Sequence, residues 1–243
     1  MDLTNLSGSS AFDFLEKNPR LGRQIDLLGF DRVLRRGTGK VLEETGSMLF
    51  LYDTVSKAHF LACDDIDTGL AVLDRYDARR ISLLMVADIG LGRAAFRRYG
   101  FSDRLECRQA AWYGEAPEPD PEISVKTAGM DDLPLLTGTY DLISPEEMEQ
   151  VVERGSILLG YHRDHLIGFI GEHLEGSMGL LYVFPEFRRQ GFGAALEKIC
   201  ISETLKKSFI PFGQVEKDNQ ASLALQKSIG MTVSDRLLCW MWR

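Results

Sequence analysis

The sequence predicts an α/β protein built in two halves, and three observations predict it. Short apolar runs of strand length alternate along the chain with stretches of helical periodicity. A segment of prolines and acids, Gly114-Glu-Ala-Pro-Glu-Pro-Asp-Pro-Glu122, marks an extended linker near the middle. The halves also echo one another: a helix ending at Gly100 is followed by Ser102-Asp-Arg-Leu-Glu-Cys107, and one ending at Gly230 by Ser234-Asp-Arg-Leu-Leu-Cys239. The expected organisation is therefore a first domain over 1–115, a linker over 116–122 and a second domain over 123–243.

Composition narrows the function classes. With 44% hydrophobic and 26% charged residues among 243, the chain has material for a substantial core. A formal net charge of −8 argues against a nucleic-acid partner, which needs clustered basic surface. No apolar run is long enough to span a bilayer, and the start, Met1-Asp-Leu-Thr-Asn-Leu6, lacks the basic and apolar stretches of a secretory signal, so a cytoplasmic protein is expected. Cys63, Cys107, Cys200 and Cys239 form no Cys-x-x-Cys pair and lie at no metal-ligand spacing from His59, His162, His165 or His173. They read as buried reduced thiols, and no metal is expected.

In chain order, helices are expected over Ser10 to Lys17 and Leu21 to Leu28. Arg35-Arg36-Gly37-Thr38-Gly39-Lys40 looks like a basic glycine loop but has no helix after it. Val41 to Glu44, Gly46-Ser47 and Met48 to Tyr52 read instead as a β-hairpin, so the glycines belong to a turn. Then follow a strand over His59 to Cys63, a helix over Thr68 to Tyr76, a strand over Ile81 to Val86, a helix over Leu91 to Arg98 and a strand over Leu105 to Trp112. Beyond the linker, Ile123 to Lys126 is a strand, and Asp131 caps a helix beginning at Asp132. Ser144-Pro145-Glu146-Glu147 is a capping box with proline in the first helical position. Ile157 to Tyr161 and Leu166 to His173 read as an antiparallel pair turning at Arg163-Asp164, and Met178 to Phe184 as a central strand. A helix running to Lys206, a strand over Ile210 to Val215, a helix capped by Asp218 or Asn219, and a closing strand over Arg236 to Trp242 complete the chain.

The chemistry concentrates between Leu180 and Leu196. There a strand ends at Pro185, and Arg188, Arg189, Gly191 and Gly193 lead into a helix. Glycines lack a Cβ, so the N–H groups of a first helical turn can approach an anion, and the helix dipole and two arginines add positive charge. The spacing Arg188-x-x-Gly191-x-Gly193 directly after a strand resembles the pyrophosphate-binding signature of the GNAT superfamily of N-acyltransferases. The stretch from Phe212 through Asn219-Gln-Ala-Ser222 to Gly230-Met231 is similar to the strand and Asn-x-x-Ser helix of the same superfamily. Ile210-Pro211-Phe212 and Glu216 to Ser222 resemble its glycine N-acyltransferase-like branch, which pairs a degenerate first half with a competent second half.

The resemblance implies a mixed, mostly antiparallel sheet flanked by helices in each of two GNAT-like halves. It also implies transfer of an acyl group, most simply acetyl, from acyl-CoA to a primary amine of a small molecule or amino acid. The first half has no Arg-x-x-Gly-x-Gly and is not expected to hold CoA; it is expected to pack on the second and shape the acceptor site. Carried over by position, the backbone N–H of Leu181 polarises the thioester carbonyl, and Tyr182 and Val183 contact the pantetheine. Arg188, Arg189, Gln190, Gly191, Phe192, Gly193 and Ala194 hold the pyrophosphate, with Asn219 and Ser222 on the following helix. The chain departs from the pattern at both proton-transfer positions: the usual base position is Ser177 and the usual tyrosine acid is Gln226. Glu172, His173 and Glu175 are candidate replacement bases, and Tyr182 a candidate acid, although the CoA thiol leaves well enough to need none. Glu146, Glu147, Glu149 and Glu153 read either as a solvated helix face or as an attraction for a cationic amine. Two rival readings stay open, a non-catalytic acyl-CoA-binding or sensing module and a protein-interaction scaffold, as does homodimerisation.

Overall fold

The computed structural model describes residues 24–243. The helix expected over Ser10 to Lys17 lies outside them, as do the first residues of the one expected from Leu21. The described residues form two compact units: 24–110 with Gln214–Leu223 and Val233–Arg243, and Ala111–Gly213 with Ala224–Thr232.

In the first unit a 3-10 turn, Gln24–Leu27, runs into α1, Leu28–Arg35. β1 (Gly39–Thr45) and β2 (Met48–Asp53) form the expected hairpin, paired from Gly39 with Asp53 to Thr45 with Met48. Gly37 has φ 74°, and the Gly37 and Thr38 N–H groups bond back to Leu34 and Val33, so the basic glycine segment is a helix terminator. β3 (His59–Cys63) pairs antiparallel with β2 and, across the crossover helix α2 (Ile66–Arg75), parallel with β4 (Leu83–Val86). α3 (Ile89–Tyr99) leads to β5 (Asp103–Ala111). Asp65 and Asp88 cap α2 and α3, accepting the Thr68 and Leu91 N–H groups at 2.8 and 2.9 Å. Each cap is worth about 1 kcal/mol.

Strand side chains alternate between two faces. Leu49, Leu51, Phe60 and Met85 bury one face with Phe30 of α1, while Phe50, Leu61, Leu84 and Val86 bury the other with Leu73 of α2 and Leu91 of α3. A strand from the far end of the sequence, β12 (Leu238–Trp242), lies between β4 and β5, antiparallel to both. The two echoing Cys segments thus become ladder neighbours, Leu238 opposite Cys107. This is why the last residues cluster with the first unit, while the sequence boundary at 116–122 follows the chain.

The second unit is an antiparallel sheet in which β6 (Ile123–Thr127), β7 (Ile157–His162), β8 (His165–Glu172) and β9 (Met178–Val183) pair in order. Two short helices, α4 (Leu133–Thr139) and α5 (Pro145–Glu153), join β6 to β7. α6 (Phe192–Lys206) packs on β8 and β9, its Ile199 and Phe192 meeting Ile123 and Ile167. β10 (Phe212–Glu216) begins in this unit, where Gly213 pairs in parallel with Met178. α7 (Gln220–Ile229) and the short β11 (Thr232–Val233) complete the elements. All four cysteines are buried as thiols. Among the described residues no helix is long and apolar enough to cross a membrane, and no His, Cys, Asp and Glu group is arranged to hold a metal.

Candidate active site

The central strand carries a bulge where the sequence nominates a backbone donor. β8 and β9 are in register at Phe169 with Tyr182 and at Gly171 with Gly179, so Leu180 and Leu181 together oppose Ile170. Leu180 is buried and takes φ 51°, a left-handed conformation costing a non-glycine residue on the order of 1–3 kcal/mol. The ladder is thereby interrupted at the peptide that carries the Leu181 N–H. Leu180 has no sequence signal of its own, since a leucine does not advertise a positive φ.

From Val183 the chain passes through a 3-10 turn, Pro185–Phe187, to Arg189 at φ 63° and Gly191 at φ 89°, and then enters α6. The first bond of the helix runs from the Ala195 N–H to the Gly191 carbonyl at 3.1 Å. The N–H groups of Phe192, Gly193 and Ala194 precede it and have no intrahelical acceptor. A Cβ on Gly191 would meet nothing within 4 Å, so the residue is glycine for its conformation and the space above it is open. A Cβ on Gly193 would lie 3.8 Å from Val183 and 4.0 Å from Leu181, which places the start of α6 on those β9 side chains. Arg188 donates from Nε to the Val183 carbonyl at 2.8 Å and stands 5.4 Å from the Tyr182 ring centre, while Arg189 is exposed. Gln190 donates to the Glu186 carbonyl at 3.0 Å. Free helical N–H groups, open space and an exposed guanidinium fit a pyrophosphate.

The candidate proton-transfer residues separate clearly. Glu172 accepts from the Thr204 hydroxyl at 2.8 Å and the Lys207 ammonium at 3.2 Å, so it fastens β8 to the end of α6. Glu175 is buried and accepts from the Ser177 hydroxyl, which occupies the usual base position. Tyr182 stacks on Phe169 at 5.6 Å and meets Phe184 edge-on at 5.5 Å, the contacts of a packing side chain.

His173 is different. Its ring lies over Gly179 of β9, where a Cβ would come within 2.6 Å of Nε2, so the missing side chain makes room for the imidazole. Its Nδ1 lies 3.8 Å from Oε1 of Glu147 on α5. Glu147 is positioned by its own backbone, whose N–H donates to the N-cap hydroxyl of Ser144 at 3.1 Å. Burial disfavours the imidazolium, but the Glu147 contact and the charges of Glu175 and Glu147 outweigh it and raise the His173 pKa above its ordinary value. An imidazole beside a carboxylate can serve as an acid–base group. In the sequence Glu147 was one acid in a helical run, and nothing local linked it to His173. Asn219 and Ser222 cluster in the first unit, where Asn219 Oδ1 accepts the Ser222 N–H at 3.0 Å and caps α7.

Residues 158–241 match the family model described as FR47-like protein. No curated protein sequence matches the chain. Among solved structures, a Drosophila protein superposes with a TM-score of 0.66 at 15% identity, covering 100% of this chain and 99% of its own. A GCN5-related N-acetyltransferase-like protein from Streptococcus suis gives 0.56 at 12% identity, covering 96% and 100%. A tandem GNAT protein of the clavulanic acid biosynthesis pathway gives 0.50 at 15%, covering 96% and 94%. The chain thus has the fold of the GNAT acetyltransferases, and its β7-to-β12 stretch carries the FR47-like match.

Proposed function

We propose that the protein is an acyl-CoA-dependent N-acyltransferase, most simply an acetyltransferase, acting on a primary amine of a small molecule or amino acid. The observation that carries this reading is the placement of His173 on Gly179 of β9, beside the Leu180–Leu181 bulge and facing Glu147. The FR47-like match and the fold support the coarser part of this reading, acyl transfer from acyl-CoA. The acyl donor supplies an activated thioester carbonyl.

The turn before α6 holds the donor's pyrophosphate through the N–H groups of Phe192, Gly193 and Ala194 and the charge of Arg189. His173, in its neutral form, takes a proton from the acceptor ammonium and so frees the lone pair that attacks the carbonyl carbon. The Leu181 N–H stabilises the negative charge that develops on the carbonyl oxygen, a fixed donor needing no reorganisation. As the carbon–sulfur bond breaks, sulfur keeps its electron pair and takes up the second proton released by nitrogen. The products are an N-acylated amine, the free thiol and protonated His173. Amino acids are included among the acceptors because Ile210-Pro211-Phe212 and Glu216 to Ser222 resemble the glycine N-acyltransferase-like branch.

The second reading, a binding module without turnover, draws on Ser177 and Gln226 at the usual base and acid positions. Mass spectrometry of products from acetyl-CoA and a panel of amino acids, polyamines and peptide N-termini separates the two. An acetylated amine that a Gly191→Glu protein fails to make is the expected result. Binding of acetyl-CoA with no product across the panel favours the module.

A further inference from the structure

A buried acid on α6 takes no part in the proposed reaction. Glu197, in the second turn of α6, is 5% exposed, and Gln226 of α7 is 6% exposed. Gln226 Nε2 donates to Glu197 Oε1 at 2.6 Å. The other two polar atoms of the pair, Glu197 Oε2 and Gln226 Oε1, are both buried and have no hydrogen-bond partner. Both are acceptors, so a carboxylate would leave each of them stranded away from water. A single proton on Glu197 resolves both defects. The carboxylic acid then donates from Oε2 to the amide oxygen while accepting from the amide nitrogen, the closed two-bond pair that acids and primary amides form.

We infer that Glu197 is held as a neutral carboxylic acid in a reciprocal pair with Gln226, and that loss of its proton weakens anion binding at the turn before α6. The second clause rests on the reading of that turn as the acyl-CoA site. Burial raises the Glu197 pKa to about 7, against the lowering effect of the Gln226 bond, and no charged group contributes. None of the ionisable groups on α6, α7, β8 or β9 contributes to that shift. On β8, Glu172 is bound by Thr204 and Lys207, and His165 is exposed at the far end. Tyr182 of β9 is stacked on Phe169. Lys227 of α7 is exposed, and on α6 Lys206 pairs with Glu203 while Lys198 is half-buried.

The link to the turn is electrostatic. Glu197 is six residues beyond Gly191, about 9 Å along the helix axis at 1.5 Å per residue. A buried, unpaired negative charge at that distance repels a bound pyrophosphate and opposes the helix dipole that attracts it. The pair also explains why Gln226 stands where the superfamily's acid would be: both ends of its amide are committed to Glu197.

The test uses the full chain as wild type and as Glu197→Gln, an amide that reproduces both bonds of the neutral acid and cannot ionise. Acetyl-CoA affinity is measured by calorimetry at about pH 6 and about pH 8.5, either side of the raised pKa. Taking the ratio of the two proteins at each pH cancels titration of the ligand's own phosphates. Wild type is expected to match Glu197→Gln at the lower pH and to bind about tenfold more weakly at the higher. An infrared band from a protonated carboxyl, present in wild type at the lower pH and missing in Glu197→Gln, reports the pair without any ligand. Absence of that band overturns the inference. A band with affinity ratios equal at both pH values overturns the link to the turn. A band with no acetyl-CoA binding in either protein overturns the reading of the turn and leaves the acid–amide pair standing.

Discussion

In the proposed acyl transfer His173 is the base and Gly179 makes room for its ring, and each makes a separate prediction. The imidazolium must lose its proton before His173 can act as a base, and the His173 pKa is raised, so the rate is expected to rise with pH through a value above that of an ordinary imidazole. His173→Gln is expected to lower kcat/KM by roughly 10²–10³ and abolish that inflection, with acetyl-CoA affinity unchanged. A pH–rate profile with calorimetry on the variant checks both halves. Gly179→Ala puts a methyl group within 2.6 Å of the imidazole and must displace the ring. Turnover is expected to fall with little change in the KM for acetyl-CoA; an unchanged kcat would show that the ring position is immaterial. The sequence offered His173 only as one of three acids or bases before the central strand. What selects it is spatial: Glu172 is taken by Thr204 and Lys207, Glu175 by Ser177, and only His173 meets an acid 26 residues earlier in the chain.

The strand, turn and helix around Gly191 were legible because their determinants are local. Proline stops β9, glycine permits φ 89°, and α6 runs to Lys206, where the sequence reading ended it. The β1–β2 hairpin and the Ser144 cap were legible for the same reason. The bulge at Leu180 was not, because it depends on the register with β8. α5 presents Glu147 to His173 from the turn that Ser144 caps. Ser144→Ala is therefore expected to cost about 1 kcal/mol and to lower the pH of the rate inflection as Glu147 loosens. Chemical denaturation reads the first effect and the pH–rate profile the second.

The chain does not follow the division its linker suggests. β12 pairs with β4 and β5, and those long-range ladders lie beyond any local pattern, even though the echoed Ser-Asp-Arg-Leu-x-Cys hinted that the segments were related. Two buried carboxylates give stability opposite dependences on pH. Glu106 is bonded by Arg93 at 2.7 and 2.8 Å, which with Lys217 at 2.8 Å overcomes burial and holds it down to about 2. Its contribution is present above 4.5, the unfolded value, and is lost as pH falls towards 2. Glu197 is raised to about 7, so its protonated form favours the fold most at acid pH and that advantage declines as pH rises from 4.5 to about 7. Thermal unfolding across this range is expected to show Glu197→Gln gaining on wild type up to about pH 7 and holding a constant lead above it. The central claim, that the turn before α6 takes an acyl-CoA, is tested most directly by titrating acetyl-CoA into wild type and Gly191→Glu. Saturable one-site binding to wild type, lost in a variant whose circular dichroism is unchanged, is the predicted result. Equal affinity in both proteins, or none in wild type, would contradict it.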